Sequence, residues 1–584
     1  MIKTLVLRLA IATFLLLLIT FVCGYYWLMG SEPELPEAQL FINAQILTMD
    51  DENRIVSAIA VRGERIVATG SDEEILALRG PNTVVHNLNG RSLLPGFVDA
   101  HGHFPGTGLS AVGIDLSSPP IGAVNNIADI QTLLRSGLAN GSDDDWLFGF
   151  GYDDSLLAAG RHPSRLDLDA VSTIRPIYVM HSSGHMAVVN SAGLRLAGIT
   201  TDTADPDGGV IVRDAQTGEL TGLLLEHATD LVAPLAMDFS ALDFLTMTDA
   251  AAAQYLAAGV TTVQSGGVDT RMLKGLYWLS RLQRIPQRVI TWPLADANFD
   301  ELLSDELNLD DLHSNKFSAS ALKLIVDGSI QGYTAYLTEP YYQQQADQQD
   351  QGYRGFSRYK QAELNEKVTA LHCHGLQLAL HGNGDAAIDM VIAAVAASQQ
   401  TCPREDTRTI LVHAQTARPD QLDAMKKLDI TPSFFSAHTF FWGDRHRDQF
   451  LGPLRGSQIS PMADAVARGM RFTVHTDSPV VPMEVNRLLW ASVTRQTRSG
   501  AVLGPQQGIS AMQALRAVTI DAAWQSFKEQ DSGSLEVGKI ADMVLLDRSP
   551  LDGDDSLLNF KVDKVWIGGR CYFQRGADQC TKAE

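Results

Sequence analysis

Two histidines separated by a single residue, His101 and His103, follow an apolar run that begins at Leu93. If that run is a β-strand, residues i and i+2 point to the same face of the sheet. Both imidazoles can then reach one metal ion, and imidazole nitrogen is a ligand that zinc prefers. A His-x-His pair alone is only suggestive, so a metal site needs support from the rest of the chain.

Three more metal-binding side chains stand at the ends of later apolar runs. His381 ends the run that starts at Leu376, His413 ends the run that starts at Thr409, and Asp477 ends a third. In a (β/α)8 barrel, polar residues at the C-terminal strand ends gather at one mouth. The pattern therefore predicts one metal centre, although each histidine alone is equally typical of a hydrogen-bonded core position and the aspartate of a turn.

Longer motifs make this interpretation more specific. They are His181-Ser-Ser-Gly-His185, Lys323-Leu-Ile-Val-Asp-Gly-Ser329, His381-Gly-Asn-Gly-Asp385, His413-Ala-Gln415, Pro432-Ser-Phe-Phe-Ser-Ala-His438, His475-Thr-Asp-Ser-Pro479 and the segment from Gly533 to Leu546. With these motifs the chain resembles the amidohydrolase superfamily (amidohydrolase family 3), in the branch of N-substituted formamide deformylase-like enzymes.

The resemblance implies a set of metal ligands, which are His101, His103, Lys323, His381, His413 and Asp477. A lysine ammonium, with a reference pKa of about 10.4, has no lone pair for a cation at neutral pH. Carbamylation of Lys323 would turn it into a carboxylate that bridges two ions, and burial favours the neutral amine that reacts with CO2. The alternative is a structural Lys323 paired with Asp327 beside a single metal. We expect one or two divalent ions, with zinc first.

The ligand set predicts a mechanism. Metal binding lowers the pKa of water toward neutrality and generates hydroxide, while Asp477 moves the proton to the leaving nitrogen. His181, His185 and His438 are candidate catalytic residues that polarise or orient the substrate. Candidate substrate-binding residues are Asp327, Gln331 and Trp442, the last as part of an apolar wall. Each of these side chains is as readily interpreted as a structural residue.

The elements that must position these residues follow an α/β pattern. From 92 to 529, apolar strands alternate with helical stretches, which predicts a (β/α)8 TIM barrel with an insertion at about 104–258. Segments 38–91 and 530–584 consist of short strands and turns. We expect these two end segments to form one small β-sandwich domain.

The N-terminal segment, residues 1–30, is predicted to be separate from the catalytic body. Leu9 to Met29 contains no charged residue and is long enough, as a helix, to cross a bilayer. Lys3 and Arg8 precede it and no Lys or Arg follows until Arg54, so residues 1–30 are predicted to be a membrane anchor or signal segment, followed by a linker at 31–37. The catalytic body is then expected outside the cytoplasm, in a bacterial periplasm, or secreted if the segment is cleaved.

The amino-acid composition limits the kinds of molecule that the protein is expected to bind. The 584 residues carry a formal net charge of −22, which opposes binding to nucleic acid. Among five cysteines, Cys571 and Cys580 are close enough to form a disulfide in an oxidising compartment, whereas Cys373 and Cys402 are predicted to be buried thiols.

The function predicted from sequence is therefore hydrolysis of a non-peptide C–N bond, of amide type, in a small-molecule substrate. Hydrolysis of esters, lactones or phosphotriesters is an alternative, because activated water attacks those centres too. A non-catalytic metal-binding module is the second alternative, and the presence of an acid/base candidate at Asp477 argues against it. An oligomer is possible.

Overall fold

The computed structural model describes residues 28–139, 142, 145–304, 306–344, 352–577 and 580, with the isolated positions 13 and 24. Most of the predicted membrane segment, Leu9 to Met29, lies outside this part of the chain. Among the described residues, no helix has both the length and the apolar character needed to span a membrane.

The described residues form 25 strands, named in chain order. They are β1 Ala38–Ile42, β2 Gln45–Leu47, β3 Ile55–Val56, β4 Ala58–Arg62, β5 Arg65–Gly70, β6 Thr83–Asn87, β7 Ser92–Pro95, β8 Phe97–Val98, β9 Ile114–Asp115, β10 Leu147–Tyr152, β11 Ile177–His181, β12 Met186–Val189, β13 Gly209–Arg213, β14 Leu220–Glu226, β15 Val260–Val268, β16 Arg288–Pro293, β17 Phe317–Ala319, β18 Ala321–Ile325, β19 Gln377–Gly382, β20 Ile410–His413, β21 Thr431–Phe434, β22 Thr473–Val474, β23 Met543–Leu546, β24 Val562–Ile567 and β25 Arg570–Gln574.

The same residues form 18 α-helices. They are α1 Asp72–Leu76, α2 Ile127–Gly137, α3 Arg165–Asp169, α4 Ser191–Leu196, α5 Ala233–Ala236, α6 Ala241–Ala257, α7 Thr270–Arg281, α8 Phe299–Leu303, α9 Gln361–Cys373, α10 Asp385–Thr401, α11 Pro419–Lys427, α12 His438–Arg445, α13 Gly452–Gly456, α14 Met462–Ala467, α15 Val485–Thr494, α16 Ala511–Ala517, α17 Ile520–Gln525 and α18 Asp554–Asn559.

Two parallel sheets carry the strand ends that the sequence singled out. One has the order β8-β15-β16-β17 and the other β18-β19-β20-β21-β22. Every residue of β19, β20 and β21 is buried, as expected for parallel strands covered on both faces. Helices such as α7, α10 and α11 separate successive strands in the chain, so the fold is of α/β type.

Strands from the two ends of the chain pair with each other. A six-stranded sheet has the order β25-β24-β23-β7-β2-β3, and a four-stranded sheet has the order β5-β4-β1-β6. Phe41 and Trp566, from opposite ends of the chain, pack edge to face in the core between these sheets. The residue bounds of the domains stay predictions.

A further six-stranded sheet, in the order β13-β14-β12-β11-β10-β9, lies within the predicted insertion. The pairs β11–β12, β12–β14 and β13–β14 are antiparallel. β10 runs parallel to both of its neighbours, β9 and β11. Apolar clusters cover both faces of this sheet. The insertion is therefore a structured layer, and its strand ends contribute residues to the site described below.

The prediction for Cys373 and Cys402 is wrong, because the two residues form a disulfide with a Cα–Cα distance of 5.4 Å. α9 ends at Cys373 and Cys402 directly follows α10, and these neighbouring helices run in the same direction, so their C-terminal ends meet. The predicted disulfide between Cys571 and Cys580 is confirmed.

Candidate metal centre

The predicted metal-binding side chains converge on Asp477. Its Oδ1 lies 3.3 Å from Nε2 of His101 and 3.2 Å from Nε2 of His103, and its Oδ2 lies 3.9 Å from Nε2 of His413. These donor atoms come from the ends of three different strands. Asp477 Oδ1 is buried and accepts no hydrogen bond from the described residues, which is an expected property of a metal ligand.

The backbone at two of these strand ends is bent sharply. His413 and Ala414 have φ values of 73° and 46°, and Asp477 has φ 56°. Left-handed backbone is uncommon for residues other than glycine, and it clusters at functional sites. At these positions it turns the side chains out of the strand direction and toward the shared site.

A neighbouring strand orients each ring of the His-x-His pair. Nδ1 of His101 lies 3.1 Å from Oε1 of Gln264, and the same oxygen accepts the N–H of Gly102 at 2.8 Å. Nδ1 of His103 lies 2.7 Å from the carbonyl oxygen of Gly266. Both partners are acceptors, so each Nδ1 carries the proton and each Nε2 is left with a lone pair for a cation.

The other two histidines are oriented in a similar way. Nδ1 of His381 lies 3.1 Å from Oδ1 of Asp327. Nδ1 of His413 lies 3.1 Å from Nε2 of His475, whose own Nδ1 lies 3.0 Å from Oγ of Ser433. The rings of His381 and His413 are 4.5 Å apart between centroids. A histidine held through Nδ1 by a polar partner is the usual arrangement of a metal ligand.

Electrostatics favour the neutral, metal-binding forms of these groups. Burial, followed by the nearby Lys323, lowers the pKa of His101 well below its usual value, and burial is also the main cause for His381 and His413. Burial alone would raise the pKa of Asp477, but the attraction of His103 and His475 lowers it overall. The set therefore offers neutral imidazoles and a carboxylate, a donor set that fits a divalent ion such as zinc.

Lys323 lies beside this group. Its Nζ is 3.0 Å from Nε2 of His101, and its side chain is buried against Trp292, whose ring centroid is 6.0 Å away. Burial lowers the pKa of Lys323 to about 7, in spite of the opposing effect of Asp477. Near neutral pH a large fraction of this amine is therefore unprotonated.

Asp327 holds the ring of His381 and the loop that follows it. It is fully buried behind His381 and accepts the backbone N–H groups of Asn383, Gly384 and Tyr336 at 2.8–3.0 Å. These contacts use both of its oxygens, and its predicted role in substrate binding stays a prediction. They also disfavour the alternative in which Asp327 pairs with Lys323, because its oxygens are used to hold His381 and the loop that follows.

His181 lies outside the metal centre, in a second group of acidic and histidine residues. It is fully buried, its Nε2 is 3.2 Å from Oδ1 of Asp154, and the N–H of Ser183 points at its Nδ1 at 3.1 Å. An accepting Nδ1 places the proton on Nε2, facing the carboxylate. Asp153, Asp154 and His181 are spaced so that they could hold a metal, and neither His181 Nε2 nor Asp154 Oδ1 has a hydrogen-bond partner among the described residues. The catalytic role of His181 stays a prediction.

His438 and Trp442 form hydrogen bonds with residues outside the predicted set of metal ligands. Nδ1 of His438 lies 2.8 Å from Nε2 of His446, and Nε1 of Trp442 donates to Oδ2 of Asp153 at 2.7 Å. Each has only 2–3% of its surface exposed. The structure gives these two residues packing and hydrogen-bonding partners, and their predicted contacts with substrate stay predictions.

Two other predicted residues, His185 and Gln331, are placed where they could contact substrate. The ring of His185 is 5.2 Å from that of His381, so the second histidine of its motif does reach the centre. Gln331 is buried, and its Oε1 has no hydrogen-bond partner among the described residues. Gln331 stays a candidate for substrate binding.

Sequence reasoning missed several residues that shape the site. His475 could have been found, because it stands two residues before Asp477 and two-residue periodicity places both on one face. Gln264 is a polar residue within the apolar strand β15, which is a weaker signal. Trp292, whose ring stacks on His101 at 5.1 Å, carries no local signal because a buried tryptophan is ordinary in a strand.

Comparison with known proteins agrees with this geometry. The model of the amidohydrolase family matches residues 84–573. The N-substituted formamide deformylase of Arthrobacter pascens is 28% identical over 551 residues, covering 92% of this chain and 98% of that protein. The Arabidopsis thaliana protein LONG AFTER FAR-RED 3 is 26% identical over 544 residues, covering 91% of each. A solved metal-dependent hydrolase from Pyrococcus furiosus superposes with a TM-score of 0.68 and 25% identity, covering 88% of this chain and 100% of that one.

Proposed function

Because the chain belongs to the amidohydrolase family and is a hydrolase, we propose that it cleaves a non-peptide, amide-type C–N bond of a small molecule. The observation that carries this proposal is the convergence of His101, His103 and His413 on the carboxylate of Asp477. The name of the Arthrobacter relative, a formamide deformylase, supports an N-substituted amide as the substrate class.

We propose that the protein holds one or two divalent ions, zinc by preference. The ligands are His101, His103, His381, His413 and Asp477, with Lys323 as a carbamylated bridge when two ions are bound. Two observations support this assignment: Nε2 of each ring in the His-x-His pair is left with a lone pair, and Asp477 Oδ1 has no hydrogen-bond partner within the described part of the chain. The lowered pKa of Lys323 supports carbamylation, because the neutral amine is the form that reacts with CO2.

When bound, a divalent ion lowers the pKa of a water molecule and polarises a carbonyl oxygen. We propose that Asp477, ionised at neutral pH, accepts a proton from the attacking water and transfers it to the nitrogen as the C–N bond breaks. Protonation matters because an amide anion is a poor leaving group. The products are a carboxylic acid and an amine.

The two parallel sheets are proposed to form one closed (β/α)8 barrel. A parallel bridge between Leu294 and Lys323 links the sheets at one side. At the other, the N–H of His103 donates to the carbonyl oxygen of Ser478 at 2.7 Å, joining the ends of the first and last strand segments. This closure would bring all the ligands to the same mouth.

The proposed function is tested by metal analysis and an activity screen. Purified chain should contain at least one ion, and it should hydrolyse members of a panel of N-formyl, N-acyl and cyclic amides in a chelator-sensitive manner. The double variant His101→Ala/His103→Ala should lose both the ion and the activity. Full metal occupancy in that variant would refute the site, and robust phosphotriester or ester hydrolysis without any amide hydrolysis would refute the choice of reaction.

A further inference from the structure

A carboxylate from the insertion holds one residue of the site in place. Glu226, the last residue of β14, places its Oε2 2.9 Å from Nδ1 of His185. Its backbone N–H also donates to the carbonyl oxygen of His185 at 2.8 Å. The two residues are joined twice because β14 pairs with β12, the strand that follows His185.

Glu226 is itself tightly confined. It is 2% exposed, and a Cβ built on Gly328 would lie only 2.0 Å from its Oε1. Arg358 Nη1 lies 4.0 Å from Oε2. The backbone of Glu226 has φ 50° and ψ −126°, an uncommon conformation for a residue with a side chain. Burial, close contacts and an uncommon backbone conformation fix the position of this carboxylate. Such features cluster at functional sites, so we infer that Glu226 has a functional role.

This carboxylate determines which nitrogen of His185 faces the site. Burial alone would raise the pKa of Glu226, but the attraction and hydrogen bond of His185 lower it overall, so the group is ionised at neutral pH. An ionised carboxylate only accepts hydrogen bonds, and Nδ1 of His185 is therefore the donor. In the neutral ring, Nε2 is left as an acceptor.

Nε2 of His185 is available to a ligand. The His185 side chain is 15% exposed, and the described residues include no hydrogen-bond partner for Nε2. The ring packs against His381, whose ring in turn packs against His413. An acceptor on the His185 ring thus lies beside two of the proposed metal ligands.

We propose that His185, positioned by Glu226, accepts a hydrogen bond from the N–H of the scissile amide, and that the enzyme therefore selects secondary amides. The inference rests on the proposed function, because it concerns the same site. A tertiary amide or an ester has no hydrogen at that position and would leave Nε2 unpaired once the substrate displaces water. A site built to bind an N–H discriminates against analogues that lack it.

The test uses the full, metal-loaded chain and three probes with one acyl group and one substituent. The probes are a secondary N-alkyl formamide, its N-methylated tertiary analogue and the corresponding formate ester. In His185→Phe we expect kcat/KM for the secondary amide to fall about tenfold or more, while the value for the ester falls less than about threefold. Glu226→Ala should repeat this pattern, and Glu226→Gln should keep most of the discrimination because its amide oxygen can still accept from Nδ1.

The outcomes separate the inference from the proposed function. Equal losses on all three probes, in variants with unchanged metal content, would overturn the inference and leave the proposed function standing. No hydrolysis of these probes, or of any member of the wider amide panel, by the metal-loaded wild type would overturn the proposed function and the inference with it.

A measurement on the wild type protects against variants that fail to fold. A phosphonamidate, which keeps the N–H, should inhibit about tenfold better than the phosphonate ester with oxygen in its place. Equal inhibition by the two would overturn the inference.

Discussion

Residues that never touch the proposed metal govern which atoms can bind it. Gln264, Asp327 and His475 each contact Nδ1 of one histidine, so that Nε2 of the same ring is the nitrogen left for the proposed ion. Such partners set the tautomer and orientation of the ring, and their loss typically weakens metal affinity by about 10–100-fold. The residues that position the ligands are therefore as testable as the ligands themselves.

Asp327 offers the clearest test at this scale. In Asp327→Ala we expect zinc to bind about 10–100-fold more weakly, because His381 loses the acceptor for its Nδ1. Competition with a chromogenic chelator measures this affinity. Asp423→Ala, which removes only a surface partner of Arg468, serves as the matched control. Equal zinc affinity in Asp327→Ala and wild type would contradict the orienting role.

Lys323 carries a second prediction. Lys323→Ala should lose most activity, and an added short-chain carboxylate should restore part of it by replacing the missing bridge. Lys427→Ala, an exposed lysine on α11, should keep full activity. If Lys323→Ala kept both full activity and full metal content, the bridging role would be excluded.

The same lysine predicts a pH dependence. Because burial lowers its pKa to about 7, the reactive amine becomes abundant as the pH rises through about 7 rather than toward 10.5. Activation of metal-free protein by bicarbonate plus zinc should therefore increase through that range and level off above it. Activation that keeps increasing up to pH 10 would show that the pKa of the Lys323 amine is not lowered.

At the scale of elements, the insertion is anchored to the body by buried polar contacts. Nε1 of Trp442, on α12, donates to Oδ2 of Asp153, which directly follows β10. A cavity of about 30 Å³ lies beside this contact and is lined also by Pro479. The tryptophan therefore joins two layers of the fold.

This contact makes Trp442→Phe informative. The ring is largely replaced, but Asp153 loses a buried donor, so we expect the free energy of unfolding to fall by about 1–3 kcal/mol. KM should change less than about twofold, because the side chain is 2% exposed. Urea denaturation and steady-state kinetics check the two parts, with Trp278→Phe, at a position 60% exposed, as control. A large rise in KM without loss of stability would support the substrate-binding interpretation.

At the scale of the whole molecule, the disulfides bear on where the protein works. Cys373–Cys402 and Cys571–Cys580 are both paired, and such bonds persist mainly in oxidising compartments. The charge asymmetry around Leu9 to Met29 supports the same location. We propose that the catalytic body lies outside the cytoplasm.

This location makes a prediction about thiols and topology. In protein isolated without reductant, these four cysteines should react with a thiol reagent only after reduction, and reduction should lower stability by up to about 3 kcal/mol through the loop closed by Cys373 and Cys402. In bacterial spheroplasts, added protease should digest the body. Complete protection in intact spheroplasts, with digestion only after lysis, would place the body inside.

Much of the site was readable in the sequence because its signals are local. His101 and His103 share a face through strand periodicity, and His381, His413 and Asp477 each follow an apolar run, so their positions at strand ends depend only on neighbours in the chain. The family resemblance added Lys323 to the predicted metal ligands. The alternation of strands and helices predicted an α/β fold for the same reason.

Only the tertiary structure decided what each ring nitrogen and each buried carboxylate does. Trp442 and Asp153 are 289 residues apart in the chain, and His185 and Glu226 belong to strands that meet only when the insertion sheet folds. Whether a polar residue contacts substrate or a buried partner depends on packing between distant segments, which no local pattern records. For that reason the sequence alone left His181, His438, Asp327 and Trp442 open, and the fold assigned each of them a buried partner.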